Sequence, residues 1–301
     1  MQFKIPSCTR SVVGLLVVVG ATVQMASSAP LGTRQTVDDA TVLNYALTLE
    51  HIENAFYSGA LAKFDAQAFL DAGLPSFARG RFEQIAAHEQ AHVDFLTSAL
   101  GNKATKACVY DLSSISFSTE YMRVSLLGRV SAYTGAAQLI TNKAYLTAAA
   151  SVLSTEARHA SWVASAVGKV NPWSGAFDVP LSLNEVFSLV APTIVSCPST
   201  NPALPVKAFP ALTLDKAAPG KKTSVHVSQK SGSGPTFIAF LSGLDTTFVP
   251  IEGGQVLVPN GLKGQVYAVA TSSATEASDA TILAGPAVLQ FEFASDGKLI
   301  E

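Results

Sequence analysis

Charge is scarce in this chain: Asp, Glu, Lys and Arg make up 14% of its 301 residues, and the net charge is −2. A nucleic-acid partner needs a dense basic face to displace phosphate counterions, and the sequence has none. The Asn-x-Ser/Thr triplet is also missing, so N-linked glycans are not expected. Long apolar runs are absent except near the N-terminus, where SVVGLLVVVGATV follows Lys4 and Arg10 and precedes the small-residue stretch ASSAP. That run is short of the roughly 20 apolar residues of a spanning helix. Its order of basic, apolar and small residues is that of a secretory signal peptide, over residues 1–29. The expectation is a soluble, secreted protein with no membrane partner, extracellular and a candidate for cell-wall association.

Cysteine is rare too. Of three, Cys8 falls within the signal peptide, which leaves Cys108 and Cys197 as an even pair in an oxidising compartment. Neither stands in the Cys-x-x-Cys or Cys/His cluster that thiolate metal ligands want, so a disulfide between them is the plain reading.

Proline and glycine are distributed unevenly, and this divides the chain. Residues 38–168 hold long stretches rich in Ala, Leu and Val with few prolines, the texture of packed helices. Four helices are expected. The first runs through LNYALTLEHIENAFYSGALAKF, and the second through RFEQIAAHEQAHVDFLTSAL to a Gly101 cap. The third covers STEYMRVSLLGRVSAYTGAAQLI, and the fourth AYLTAAASVLSTEARHASWVASAVGKV. Residues 171–210 bring seven prolines. Short alternating runs follow (SVHVSQ, TFIAFLS, GQVLVP, GQVYAVAT, AVLQFEF), separated by Gly, Pro and Asn, the pattern of a small antiparallel sandwich. The fold class is therefore α+β: a four-helix bundle over residues 30–170, a proline-rich linker or extension over 171–207, and a β-sandwich over 208–301.

The chemistry gathers around HEQAH, residues 88–92. As His-Glu-x-x-His it is a zinc protease signature, with His88 and His92 as ligands and Glu89 as general base. As Glu-x-x-His it is one half of a dinuclear site, with Glu89 and His92 as ligands. Helical spacing separates the two readings. Phe82, Ile85, Glu89, His92, Leu96 and Ala99 form one apolar stripe, whereas His88 falls on the more solvated face with Arg81 and Gln84. The fourth helix repeats the pattern, with Glu156 and His159 inside the stripe Tyr145, Ala149, Val152, Val163, Ala166. On the first helix Glu50 and Glu53 share a stripe with Leu43, Ala46, Tyr57 and Leu61. Four carboxylates and two histidines facing one core need cations between them, because unpaired buried charge is too costly.

The segments LEHIENAFY, HEQAHVDFL and STEARHASW resemble the ferritin-like di-iron carboxylate superfamily, and within it a secreted fungal stress-response branch related to plant desiccation-associated proteins. The resemblance covers roughly residues 39–168. It implies Glu50 as first-helix ligand, Glu89 with His92 and Glu156 with His159 as the paired motifs, two iron or manganese ions rather than zinc, and Tyr57 either as a donor beside the metals or as a core aromatic. The superfamily pattern also wants a lone acid on the third helix. That stretch shows Arg123, Val124, Leu126 and Leu127; Glu120 reads as a helix-end acid, and Glu53 is the candidate to fill the place.

What the resemblance implies is a non-haem metal site that reacts with dioxygen or peroxide, in oxidative or stress protection, with a small-molecule oxidant as partner. A rival from another class is a secreted structural protein that keeps the bundle and binds through its β-domain. His226, alternating with valines, reads as an ordinary strand residue, and Gly128 and Gly135 as points of close helix packing.

Overall fold

The computed structural model describes residues 37–113, 129–228 and 234–300. The signal-peptide segment, Glu120, Arg123 and Gly128 lie outside those residues.

Helix α1, Asp39–Lys63, starts where Asp38 accepts a hydrogen bond from the Thr41 amide at 2.8 Å. A short α2, Ala66–Asp71, follows with Asp65 as its cap. It was not expected from the sequence, because six residues are too few to display a helical period. Helix α3, Ala78–Leu100, ends at Gly101 with φ +58°, the left-handed stop that the sequence indicates. Residues 129–136 form the described part of α4. Helix α5, Lys143–Trp162, is capped by Asn142 and continues into one π-helical turn, Val163–Val167. Asp39 at the head of α1 accepts from the Thr141 and Asn142 amides, which ties the N-termini of α1 and α5 together.

Residues 171–207 are packed rather than free. They carry α6, Leu183–Val190, which begins with a reciprocal Ser182/Glu185 capping box. Strand β1, Val109–Tyr110, pairs with β2, Ile194–Ser196, and the Cys108–Cys197 disulfide closes beside that pair.

Beyond it lie β3, Leu212–Leu214, β4, Lys222–Val227, β5, Phe237–Ser242, β6, Asp245–Pro250, β7, Gln255–Leu257, β8, Gly264–Thr271, and β9, Ile282–Phe291. They make two antiparallel sheets, β3-β4-β7 and β6-β5-β8-β9. One core joins the sheets, with Leu212, Leu214 and Val256 against Ile238, Phe240 and Val266. This is the expected sandwich, and the architecture is α+β. The opposite face of the larger sheet is also covered: Ala239, Leu241, Tyr267 and Val269 pack on Tyr45 and Leu49 of α1 and Ala132 of α4. Every residue of β8 is buried in consequence. Val37–Glu301 thus forms one compact unit, with the helices braced on one side by the sheet.

Gly135 of α4 makes part of that bracing possible. A Cβ there would lie 1.8 Å from the backbone oxygen of Leu181, so the close approach is to the segment before α6.

Candidate metal centre

Two apolar clusters bracket the site along the bundle. Leu43, Leu47, Val93, Leu96 and Leu100 lie on one side, and Phe56, Tyr57, Phe82, Val130 and Val163 on the other. Between them α1 projects Glu50 and Glu53, α3 projects Glu89 and His92, and α5 projects Glu156 and His159. Glu50, Glu89 and Glu156 are fully buried, and Glu53 and His159 nearly so. The helical stripes read from the sequence therefore do converge.

The polar atoms fall into two groups. In the first, His92 Nδ1 stands 3.3 Å from Glu50 Oε2, 3.3 Å from Glu89 Oε2 and 3.4 Å from Glu156 Oε1. One donor atom from each of these four residues lies within 4.8 Å of all the others. Donors each about 2.1 Å from a single ion stand about 3–4 Å apart, so these residues fit one metal ion. Glu89 Oε2 and Glu156 Oε1 are buried without a hydrogen-bond donor, as oxygens directed at a cation would be. Tyr133 of α4 donates to Glu50 Oε1 and so turns the other oxygen toward His92.

The second group is organised by a residue that the sequence reading missed. Arg129, on the first described turn of α4, is buried and forms an ion pair with Glu53. Its Nη1 lies 3.4 Å from Glu89 Oε1 and 3.4 Å from Glu156 Oε2. His159 Nδ1 faces the same two oxygens at 3.3 and 3.7 Å. The Arg129 guanidinium stands over the Tyr57 ring, 5.3 Å from its centroid, which is a cation–π contact. The Tyr57 hydroxyl has no hydrogen-bond partner, so this residue serves the site as an aromatic platform. Glu53 does face the centre, but its partner is the arginine. The available signal was slight: Arg129 and Tyr133 stand one helical turn apart in the sequence.

Protonation follows from this packing. Burial raises the Glu50 carboxyl to about 6, although His92 opposes the shift. Burial pushes the Glu53 carboxyl upward, and its contact with Arg129 pulls it back toward the ionised form. For Glu89, burial acts upward and is outweighed by Arg129 and the two histidines, which hold it well below that range. Burial would lower the His92 imidazole, but its bond to Glu50 and the adjacent Glu89 carboxylate prevail and raise it to about 10. His159 is raised for the corresponding reason by Glu156 and Glu89.

His88 is exposed and touches the centre only through His159, with its Nδ1 2.9 Å from His159 Nε2 and the two rings stacked. It lies outside the four-donor group, a geometry that fits Glu-x-x-His better than His-Glu-x-x-His. The pair opens on a surface cleft of about 500 Å³ between α3 and α5, with Arg81, Arg158 and Trp162 on its walls and His92 and His159 at its base.

A family model described as a ferritin-like domain matches residues 38–169. Residues 38–169 are a ferritin-like domain. Protein rds1 of the fungus Schizosaccharomyces pombe is similar to this chain, 28% identical over 201 residues that cover 66% of the chain and 48% of rds1. The chain thus spans about half the length of that curated relative. The ferritin-like domain contains Glu50, Glu53, Glu89, His92, Glu156 and His159, together with Arg129 and Tyr133.

Proposed function

We propose that the ferritin-like domain binds a first-row transition metal ion through Glu50, Glu89, His92 and Glu156, and uses it in extracellular protection against oxidative stress. Three carboxylates and one imidazole suit iron or manganese, and the absence of sulfur from the donor set argues against softer ions. Such an ion, when bound, supplies one-electron chemistry toward dioxygen or peroxide. The observation that carries the reading is the convergence of four buried donor atoms on His92 Nδ1.

The chain's own residues have definable parts in this reading. Tyr133 orients Glu50, and the Phe56, Tyr57 and Phe82 layer keeps bulk water from one side of the acids. The cleft over His88 and His159 gives a small oxidant its approach, and the two stacked imidazoles link that surface to Glu89 for proton exchange. Secretion agrees with the N-terminal sequence pattern and with the Cys108–Cys197 bond. No helix among the described residues is long and apolar enough to cross a membrane.

A second reading, a bundle that keeps the fold without chemistry, draws on Arg129, which neutralises part of the buried charge without any metal. Elemental analysis of the secreted full chain separates the two. Iron or manganese retained through purification and lost in Glu89→Ala supports the first. A well-folded protein that takes up neither ion under anaerobic reconstitution removes it and leaves the second.

A further inference from the structure

Glu89 and Glu156 are each shared between two positions. One oxygen of each faces His92 and Glu50, and the other faces Arg129 Nη1 at 3.4 Å. His159 Nδ1 is directed at those same outer oxygens, and Glu53 closes this side by its ion pair with the arginine. The guanidinium of Arg129, with Nε toward Glu53 and Nη1 toward Glu89 and Glu156, therefore lies among the carboxylates that a second ion would need.

We propose that Arg129 is the second cation of this centre, so that the domain takes one metal ion per chain, at Glu50, Glu89, His92 and Glu156. The inference rests on the metal-binding reading above. Four considerations support permanent occupation by the arginine. A guanidinium is protonated at any physiological pH. Its position is fixed from two directions, by the Glu53 carboxylate and by the face of the Tyr57 ring. A divalent ion bound by Glu53, Glu89, Glu156 and His159 would stand in contact with the guanidinium in a medium of low dielectric, where like charges repel strongly. Displacing Arg129 into the apolar layer formed by Phe82 and Val163 would strand its charge. In this arrangement His159 is a positioning residue, oriented toward Glu89 and backed by His88, rather than a ligand.

The test is metal stoichiometry of the full chain after anaerobic reconstitution with excess Fe(II), and separately with Mn(II), read by elemental analysis beside the thermal midpoint with and without metal. One ion per chain is expected in the wild type, in Arg129→Lys and in His159→Ala, and none in Glu89→Ala. Arg129→Glu, which exchanges the fixed cation for a carboxylate, is expected to double the stoichiometry and to make the thermal midpoint depend strongly on added metal. Two ions in the wild type would overturn the inference while upholding metal binding. No ion in a folded wild type would sink the metal reading itself. A wild type with one ion that His159→Ala abolishes would also overturn it, because His159 would then be a ligand. Should Arg129→Glu fail to fold, the wild-type count and His159→Ala decide.

Discussion

The hydroxyl of Tyr133 donates to one oxygen of Glu50, and the other oxygen of that carboxylate faces His92 Nδ1 at 3.3 Å. A residue from the described turn of α4 thereby sets the aim of a ligand from α1. Tyr133→Phe removes the donor and keeps the ring. Metal affinity is expected to fall about 10–100-fold, the usual scale for losing a hydrogen bond that orients a ligand. Titration calorimetry with Mn(II) measures it, and an unchanged affinity would show that Glu50 is held by helix packing alone.

The metal-free protein should lose stability as pH rises above neutrality. His92 has a folded pKa of about 10 against about 6.5 when unfolded. The folded state holds that proton more tightly, so this stabilisation is full below about 6.5 and disappears as pH rises through 10. Glu50, raised to about 6, acts in the same direction over a lower window. Glu89, depressed, has the opposite sign and its contribution is lost only on acidification. Thermal midpoints in a chelator from pH 6 to 10 should decline, and added metal should flatten the decline.

His88→Ala separates the two readings of HEQAH. His88 lies outside the four-donor group and bonds only to His159 within the centre, so metal content should be retained. Loss of the metal in this variant alone would restore the zinc protease geometry.

The Cys108–Cys197 bond spans 89 residues, and its loop contains Arg129, Tyr133, Glu156 and His159. Cross-links closing loops of this length contribute about 4.6 kcal/mol in chain-entropy terms. Cys108→Ser paired with Cys197→Ser should lower unfolding free energy by about that amount in urea titration. A change below about 1 kcal/mol would mean that the sheet alone holds the two ends together.

Gly135→Ala tests the brace between α4 and the segment before α6. Its added methyl meets the Leu181 backbone, which cannot rotate away as a side chain would. The variant should lose at least about 2 kcal/mol, since overpacking against fixed atoms forces backbone movement. Its metal stoichiometry, if folded, reports whether Arg129 and Tyr133 move with the helix.

Much of the centre was legible in the primary structure because a helix turns once every 3.6 residues. Glu50, Glu53, Glu89, His92, Glu156 and His159 each interrupt an apolar stripe, and such stripes must face the core. The β-runs were legible by alternation, while β3 and α2 were too short to carry a period.

Which cations meet those acids was decided elsewhere. Nothing in their local sequence marks Arg129 and Tyr133 as partners of those acids. Their partners come from α1, α3 and α5, at separations from 27 to 83 residues, and no local rule specifies them. The sequence by itself determined the long helices α1, α3 and α5, the buried acids and the cysteine pair, because periodicity and count are local properties. Only the tertiary structure decided that a guanidinium stands between Glu53, Glu89 and Glu156, because the cost of burying charge is settled by whichever groups the packing brings together.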